Sequence, residues 1–200
     1  METITVIKEV LVSAAAITAS IVAIKGLYIW RRQLKGTTEY QVSERILKRA
    51  YKLQDSIRLA RGAWMSVGEL GQRGQEKMID ENETSREREA RNEAYALWKR
   101  SKPVFEAVSE LKIIKFKTRA LWGNEAIQDI EALITKAFEL RNAQIAYSQF
   151  RINPHLAEGE QKLMDKDRWI VYESGERDEF WKEVEGIVSK IENRFRPHLT

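Results

Sequence analysis

The sequence predicts an all-α protein: an N-terminal transmembrane helix followed by an antiparallel helical bundle. Three observations predict it. Val10 to Trp30 is an apolar run interrupted by one charge, Lys25. Beyond it, apolar residues recur every three or four positions through several long stretches, the period of a helix with one buried face. The charged fraction is 32% with only three prolines, a mixture that favours long helices carrying solvated ion pairs over strands and tight turns.

At a rise of ~1.5 Å per residue, Val10–Trp30 covers roughly 31 Å, the thickness of a bilayer hydrocarbon core. Lys25 lies near its end, where a long side chain reaches the headgroups. Tyr28 and Trp30 stand where interfacial aromatics are expected. Arg31, Arg32 and Lys35 follow the run, whereas Lys8 before it is offset by Glu9. The positive-inside rule then puts residues 31–200 in the cytoplasm and residues 1–9 outside, as a short external N-terminus. The expected location is a single pass through the inner membrane. A cleaved signal peptide fits less well, because the start is charge-neutral and the apolar run continues past its small residues. A buried helix of a soluble protein is the other rival. Ala15, Ala19 and Ala23 fall four apart, a spacing that lets two helix backbones approach closely, so they form a candidate helix-association face.

Gly36-Thr37-Thr38-Glu39 reads as a break and a helix start, with Thr37 or Thr38 as N-cap. Val42, Ile46, Ala50, Leu53, Ile57, Ala60 and Trp64 then mark a helix from about Thr38 to Ala63, its stripe widened by Tyr40, Leu47 and Tyr51. Residues 67–84 are polar and glycine-bearing without a period, and read as a long flexible loop that is either mobile or docked through Leu70, Met78 and Ile79. Thr84 or Ser85 caps the next helix, with Ala90, Ala94, Leu97, Phe105, Val108 and Leu111 inside and Pro103 kinking or splitting it near Arg100. Lys112–Lys117 alternates loosely like a strand but has no partner strand, so helix is expected to continue to Trp122. Gly123-Asn124 separates it from a helix marked by Ile127, Ile130, Ile134, Ala137, Phe138, Arg141 and Ile145. That helix is stopped by Asn153-Pro154. His155 to Ser174 reads as irregular, with Trp169–Tyr172 as an apolar knot. Asp178 caps a last helix whose inner face is Phe180, Trp181, Val184, Ile187, Val188, Ile191 and Phe195.

Trp30-Arg31-Arg32-Gln33-Leu34-Lys35-Gly36 and the helix text from Ile46 to Ile57 resemble a family of uncharacterised bacterial proteins. In that family an N-terminal membrane helix runs into a W-x-R-Q-L-K-G motif and a helical cytoplasmic domain. Ala120-Leu121-Trp122-Gly123 and Phe195-Arg196-Pro197-His198-Leu199 are similar too. The resemblance implies an anchored helical protein and brings no activity, cofactor or catalytic residue with it.

Chemistry is sparsely represented. With no cysteine, disulfides and thiolate metal sites are excluded. Gly68, Gly71 and Gly74 have neither a strand before them nor a Lys-Ser/Thr pair after them, so they do not make a phosphate loop. His155 and His198 lack the further ligands a metal needs, although Glu158 shares a helical spacing with His155. No paired Glu-x-x-His, nucleophile elbow or histidine triad is present. Trp64, Trp98, Trp122, Trp169 and Trp181 are scattered along helix stripes, where core packing accounts for them better than a base-stacking platform. No catalytic residue, metal or cofactor is therefore expected, and no nucleic-acid partner.

What remains is a membrane-anchored interaction or scaffold module whose partners are membrane lipid and either another protein or a second copy. The alternative is a membrane effector or signalling subunit of a stress or phage-defence system. The anchor flank Lys25, Tyr28, Trp30, Arg31, Arg32 and Lys35 is its clearest site. Lys48, Arg49 and Lys52 join the lipid-facing set only if the helix bends at Gly36.

Overall fold

The computed structural model describes the chain apart from residues 1, 63, 77–81, 153–157, 174, 176–177 and 200, and apart from the side chains of 2–16, 75–76 and 158–162. Among the described residues there are six α-helices and no strand: α1 (Glu2–Ala60), α2 (Val67–Glu76), α3 (Ser85–Trp122), α4 (Gln128–Ile152), α5 (Glu158–Val171) and α6 (Glu179–Phe195). The chain divides into two compact units, Met1–Gln41 and Val42–Thr200.

In the second unit, residues 42–60 of α1 pack with α3, α4 and α6 as an up-down-up-down four-helix bundle. Cross-helix pairs fix the directions. Lys52 meets Glu110 and Arg100 meets Gly62, so α1 and α3 are antiparallel. Ser101 meets Gln144 and Lys115 meets Glu131 between α3 and α4. Asp129 meets Arg194 and Lys136 meets Glu183 between α4 and α6. Tyr51 donates to Glu192 and Arg58 lies over the Trp181 ring, closing the ring of four between α6 and α1. Ile46, Leu53, Ile57, Leu97, Leu111, Ile130, Leu133, Leu140 and Ile191 fill the centre and are fully buried. Each such side chain contributes ~1.5–3 kcal/mol of burial.

Helix ends follow local chemistry. Thr84 caps α3 as half of a reciprocal capping box with Glu87. Gly123 ends it at φ 81°, a conformation that favours glycine, and donates its N–H to the Arg119 carbonyl. A short 3₁₀ turn, Glu125–Ile127, leads into α4. The Asp178 carboxylate accepts from the Trp181 N–H at the start of α6.

Several expectations are corrected. Gly36-Thr37-Thr38-Glu39 is not a break: α1 is helical through it, and the Thr37 and Thr38 hydroxyls donate back to the Gln33 and Leu34 carbonyls. Threonine satisfies its hydroxyl this way inside a helix as readily as at a cap. α1 stops at Ala60, before Trp64. α3 runs through Pro103 unsplit, with Pro103 on the exposed side. Most of the expected loop at 67–84 is α2, held despite its glycines by two sets of ion pairs. Arg73 pairs bidentately with the buried Glu83 at 2.9 and 3.0 Å. Arg100 grips Glu69 at 2.8 Å, and this hydrogen bond, with help from the Ser66 N–H, holds the Glu69 carboxyl down at about 2. Leu70 is half-buried, while Met78 and Ile79 lie outside the described residues. The expected irregular stretch His155–Ser174 contains α5, a largely polar helix in which, among the described side chains, Ile170 and Val171 at its end are buried. On α4, Leu140, Gln144 and Tyr147 face inward where Phe138 and Ile145 were expected, and both of those are exposed.

Candidate functional site

In the first unit, the described part of α1 carries apolar side chains on all sides with nothing covering them. Ile17, Ile21, Val22, Ile24, Leu27, Tyr28, Ile29, Trp30 and Leu34 are all exposed. Their positions advance by about 100° per residue and so go right round the helix. Lys25, Arg31, Arg32 and Lys35 are exposed along the same stretch, and Lys35 reaches Glu39 at 3.7 Å. Ala19 and Ala23 are exposed, and the Ala15 side chain lies outside the described ones. No helix is long and apolar enough to cross a membrane among the described residues. The expected span starts at Val10, so its first part falls outside them.

In the second unit, part of the basic run is engaged within the bundle. Lys52 binds Glu110 at 2.6 Å and Arg49 lies 3.9 Å from it, which draws Glu110 below the usual carboxylate range through the Lys52 hydrogen bond. Arg45 and Lys48 remain exposed. The backbone is helical through Gly36, so the expected break there is absent.

A polar cleft of the bundle, about 560 Å³, is lined by residues including Met65, Leu70, Glu89, Arg168 and Trp169. At its floor the Tyr172 hydroxyl donates to Glu93 at 2.6 Å, and the Arg151 guanidinium holds the other Glu93 oxygen at 3.1 Å. The Tyr147 and Tyr172 rings meet edge to face at 5.6 Å. Burial first, and then the Glu93 charge, push both phenols up, so each stays a hydroxyl at neutral pH. The cluster is thus a set of satisfied donors and acceptors, without a nucleophile next to a base. The residue types were visible in the sequence. Their convergence was not, because Glu93, Tyr147 and Tyr172 come from three helices or their ends.

The tryptophans depart from expectation. Trp122 and Trp181 pack against the core, but Trp64 is 91% exposed, Trp169 63% and Trp98 41%. Core packing therefore does not account for those three. Among the described residues no group of three or more His, Asp or Glu side chains is arranged to hold a metal. His155 lies outside the described residues. His198 packs on Trp122 with ring centroids 5.0 Å apart, and Trp122 meets Phe195 edge-on at 5.5 Å. The segments Ala120–Gly123 and Phe195–Leu199, far apart in sequence, thus converge at one end of the bundle. No family model, curated protein or solved structure matches the chain.

Proposed function

We propose that this chain is a membrane-anchored interaction or scaffold module, with the N-terminal part of α1 in the bilayer and the bundle on the cytoplasmic side. The observation that carries the reading is the uncovered apolar surface right round α1 from Ile17 to Leu34, ending in Arg31, Arg32 and Lys35. A helix that is apolar on every side is stable only when lipid or protein surrounds it. Tyr28 and Trp30 suit the interface, and the basic residues suit an anionic cytoplasmic leaflet, at ~1 kcal/mol each. A contact between two copies through Ala15, Ala19 and Ala23 fits inside the same span. The bundle's reaction-poor cleft favours binding over catalysis.

Because the chain has no cysteine, topology can be read by single substitutions. In intact bacterial cells with a permeabilised outer membrane, Thr3→Cys should react with a membrane-impermeant maleimide. Ser189→Cys should react only after lysis, and Val22→Cys should be protected in both states. Labelling of Ser189→Cys before lysis would reverse the proposed orientation.

A further inference from the structure

Outside the polar cleft, α3 and α4 leave a second groove on the outer face of the bundle. Its volume is about 530 Å³ and its lining includes Trp98, Lys102, Phe105, Glu106, Phe138 and Arg141. Trp98 and Ile145 also line a smaller cleft that continues along the same pair of helices. The apolar residues have a regular spacing. Trp98 and Phe105 are seven residues apart on α3, and Phe138 and Ile145 are seven apart on α4. Seven residues are two helical turns, about 10.5 Å. Phe105 and Phe138 meet across the groove at 5.7 Å. This is the spacing with which a helix seam accepts another helix.

The charge of the groove is one-sided. Lys102 lies over the Trp98 ring at 4.3 Å, Lys112 over Phe138 at 4.9 Å and Arg141 over Phe105 at 5.4 Å. None of these three cations forms an ion pair among the described residues, and Glu106 is the one carboxylate in the lining. The ammonium and guanidinium groups keep N–H donors free while their stems and π contacts cover ring faces. Stacking of nucleic-acid bases would need those faces bare, whereas carboxylates need only the outward donors.

We propose that the α3–α4 groove binds an amphipathic helix of a partner protein whose apolar seam is flanked by acidic residues. The partner's apolar residues, at i and i+7, lie over the seam formed by Trp98, Phe105, Phe138 and Ile145. Its carboxylates take Lys102, Lys112 and Arg141. The proposal rests on reading the bundle as an interaction module and gives the chemistry of what it recognises. It does not depend on where the bundle is tethered.

The test is fluorescence anisotropy with the full-length chain in mild detergent and a labelled three-heptad peptide, leucine at its seam positions and glutamate beside them. Binding should be micromolar or tighter and should weaken as salt rises. In the double variant Lys102→Glu, Arg141→Glu it should weaken by about tenfold or more. Lys102 is exposed and Arg141 half-buried with its guanidinium over the Phe105 ring, so helical content and melting temperature, measured alongside, should stay close to wild-type values and separate lost binding from lost folding. The same seam flanked by lysine should not bind. Three results would overturn the proposal: no binding of the acidic peptide, equal binding of the lysine-flanked one, or displacement of the acidic peptide by a single-stranded oligonucleotide. Dimerisation of the full-length chain that the double variant abolishes would assign the groove to a second copy instead. All of these results leave the membrane reading standing, since it is tested by extraction from membranes.

Discussion

Arg61, just past the end of α1, is 1% exposed, a position where a charge survives only with a full set of partners. It has them. Its guanidinium donates to the carbonyls of Ile170, Trp169 and Tyr172 at 2.7, 3.0 and 3.2 Å. It pairs with Asp178 at 2.8 Å and lies over the Phe180 ring at 4.7 Å. One side chain therefore takes up the C-terminal carbonyls of α5 and holds the cap of α6. Arg61→Ala should cost ~3–5 kcal/mol, because it removes the buried guanidinium that Asp178 and those carbonyls share. The check is urea unfolding followed by circular dichroism. Arg61→Met with Asp178→Ser, which keeps an N-cap hydroxyl and removes both charges, should cost less than Arg61→Ala alone. A similar accounting settles Ser101 and Gln144. The Ser101 hydroxyl has one proton, given to the Leu97 carbonyl at 2.9 Å. Its 2.5 Å contact with the Gln144 side chain balances when the Gln144 amide is turned so that its NH₂ donates. None of this is legible in the sequence, where Arg61 looks like one more surface base.

Single helices were legible in proportion to how much of their length is buried. The α1 stripe from Val42 to Ala60 and the α6 stripe were correct because residues 42–60 of α1 and nearly every turn of α6 lie in the core. The Thr84 and Asp178 caps were correct because capping is local chemistry between residues three apart. α5 was missed because its sequence, Glu158–Val171, is largely polar and has almost no apolar period to detect. On α4, the inner face was misassigned after Ala137. Phe138 and Ile145 look like core residues, but Phe138 lines the outer groove and Ile145 the smaller cleft beside it, while Gln144 goes inward to meet Ser101. α2 was missed because glycine argues against helix, and its stabilising partners, Glu83 and Arg100, lie elsewhere in the chain. Gly71 on α2 gives a direct check. It is exposed, and a Cβ there meets nothing within 4 Å. Gly71→Ala should therefore stabilise the chain by ~0.5–1 kcal/mol if the segment is helical. A thermal melt showing lower stability would return residues 67–76 to a loop.

Across the whole molecule, the all-helical class was legible from composition and period, and the bundle from four long amphipathic stretches joined by turns and two longer segments. The residues of the proposed anchor flank, Lys25–Lys35, are contiguous, so the sequence alone suffices to name them. Where a site depends on which helices become neighbours, as in the polar cleft and the α3–α4 groove, the sequence held the residues but not their juxtaposition. The exposed tryptophans make the same point: a tryptophan at helical spacing looks like core until the helix is placed. The central claim is that α1 anchors the chain in a bilayer, and alkaline carbonate extraction of membranes from cells making the full-length protein tests it most directly. The account predicts that the protein stays in the membrane pellet with integral proteins, because an apolar helix in lipid does not depend on charge contacts that carbonate disrupts. Recovery of the protein in the carbonate supernatant would contradict it.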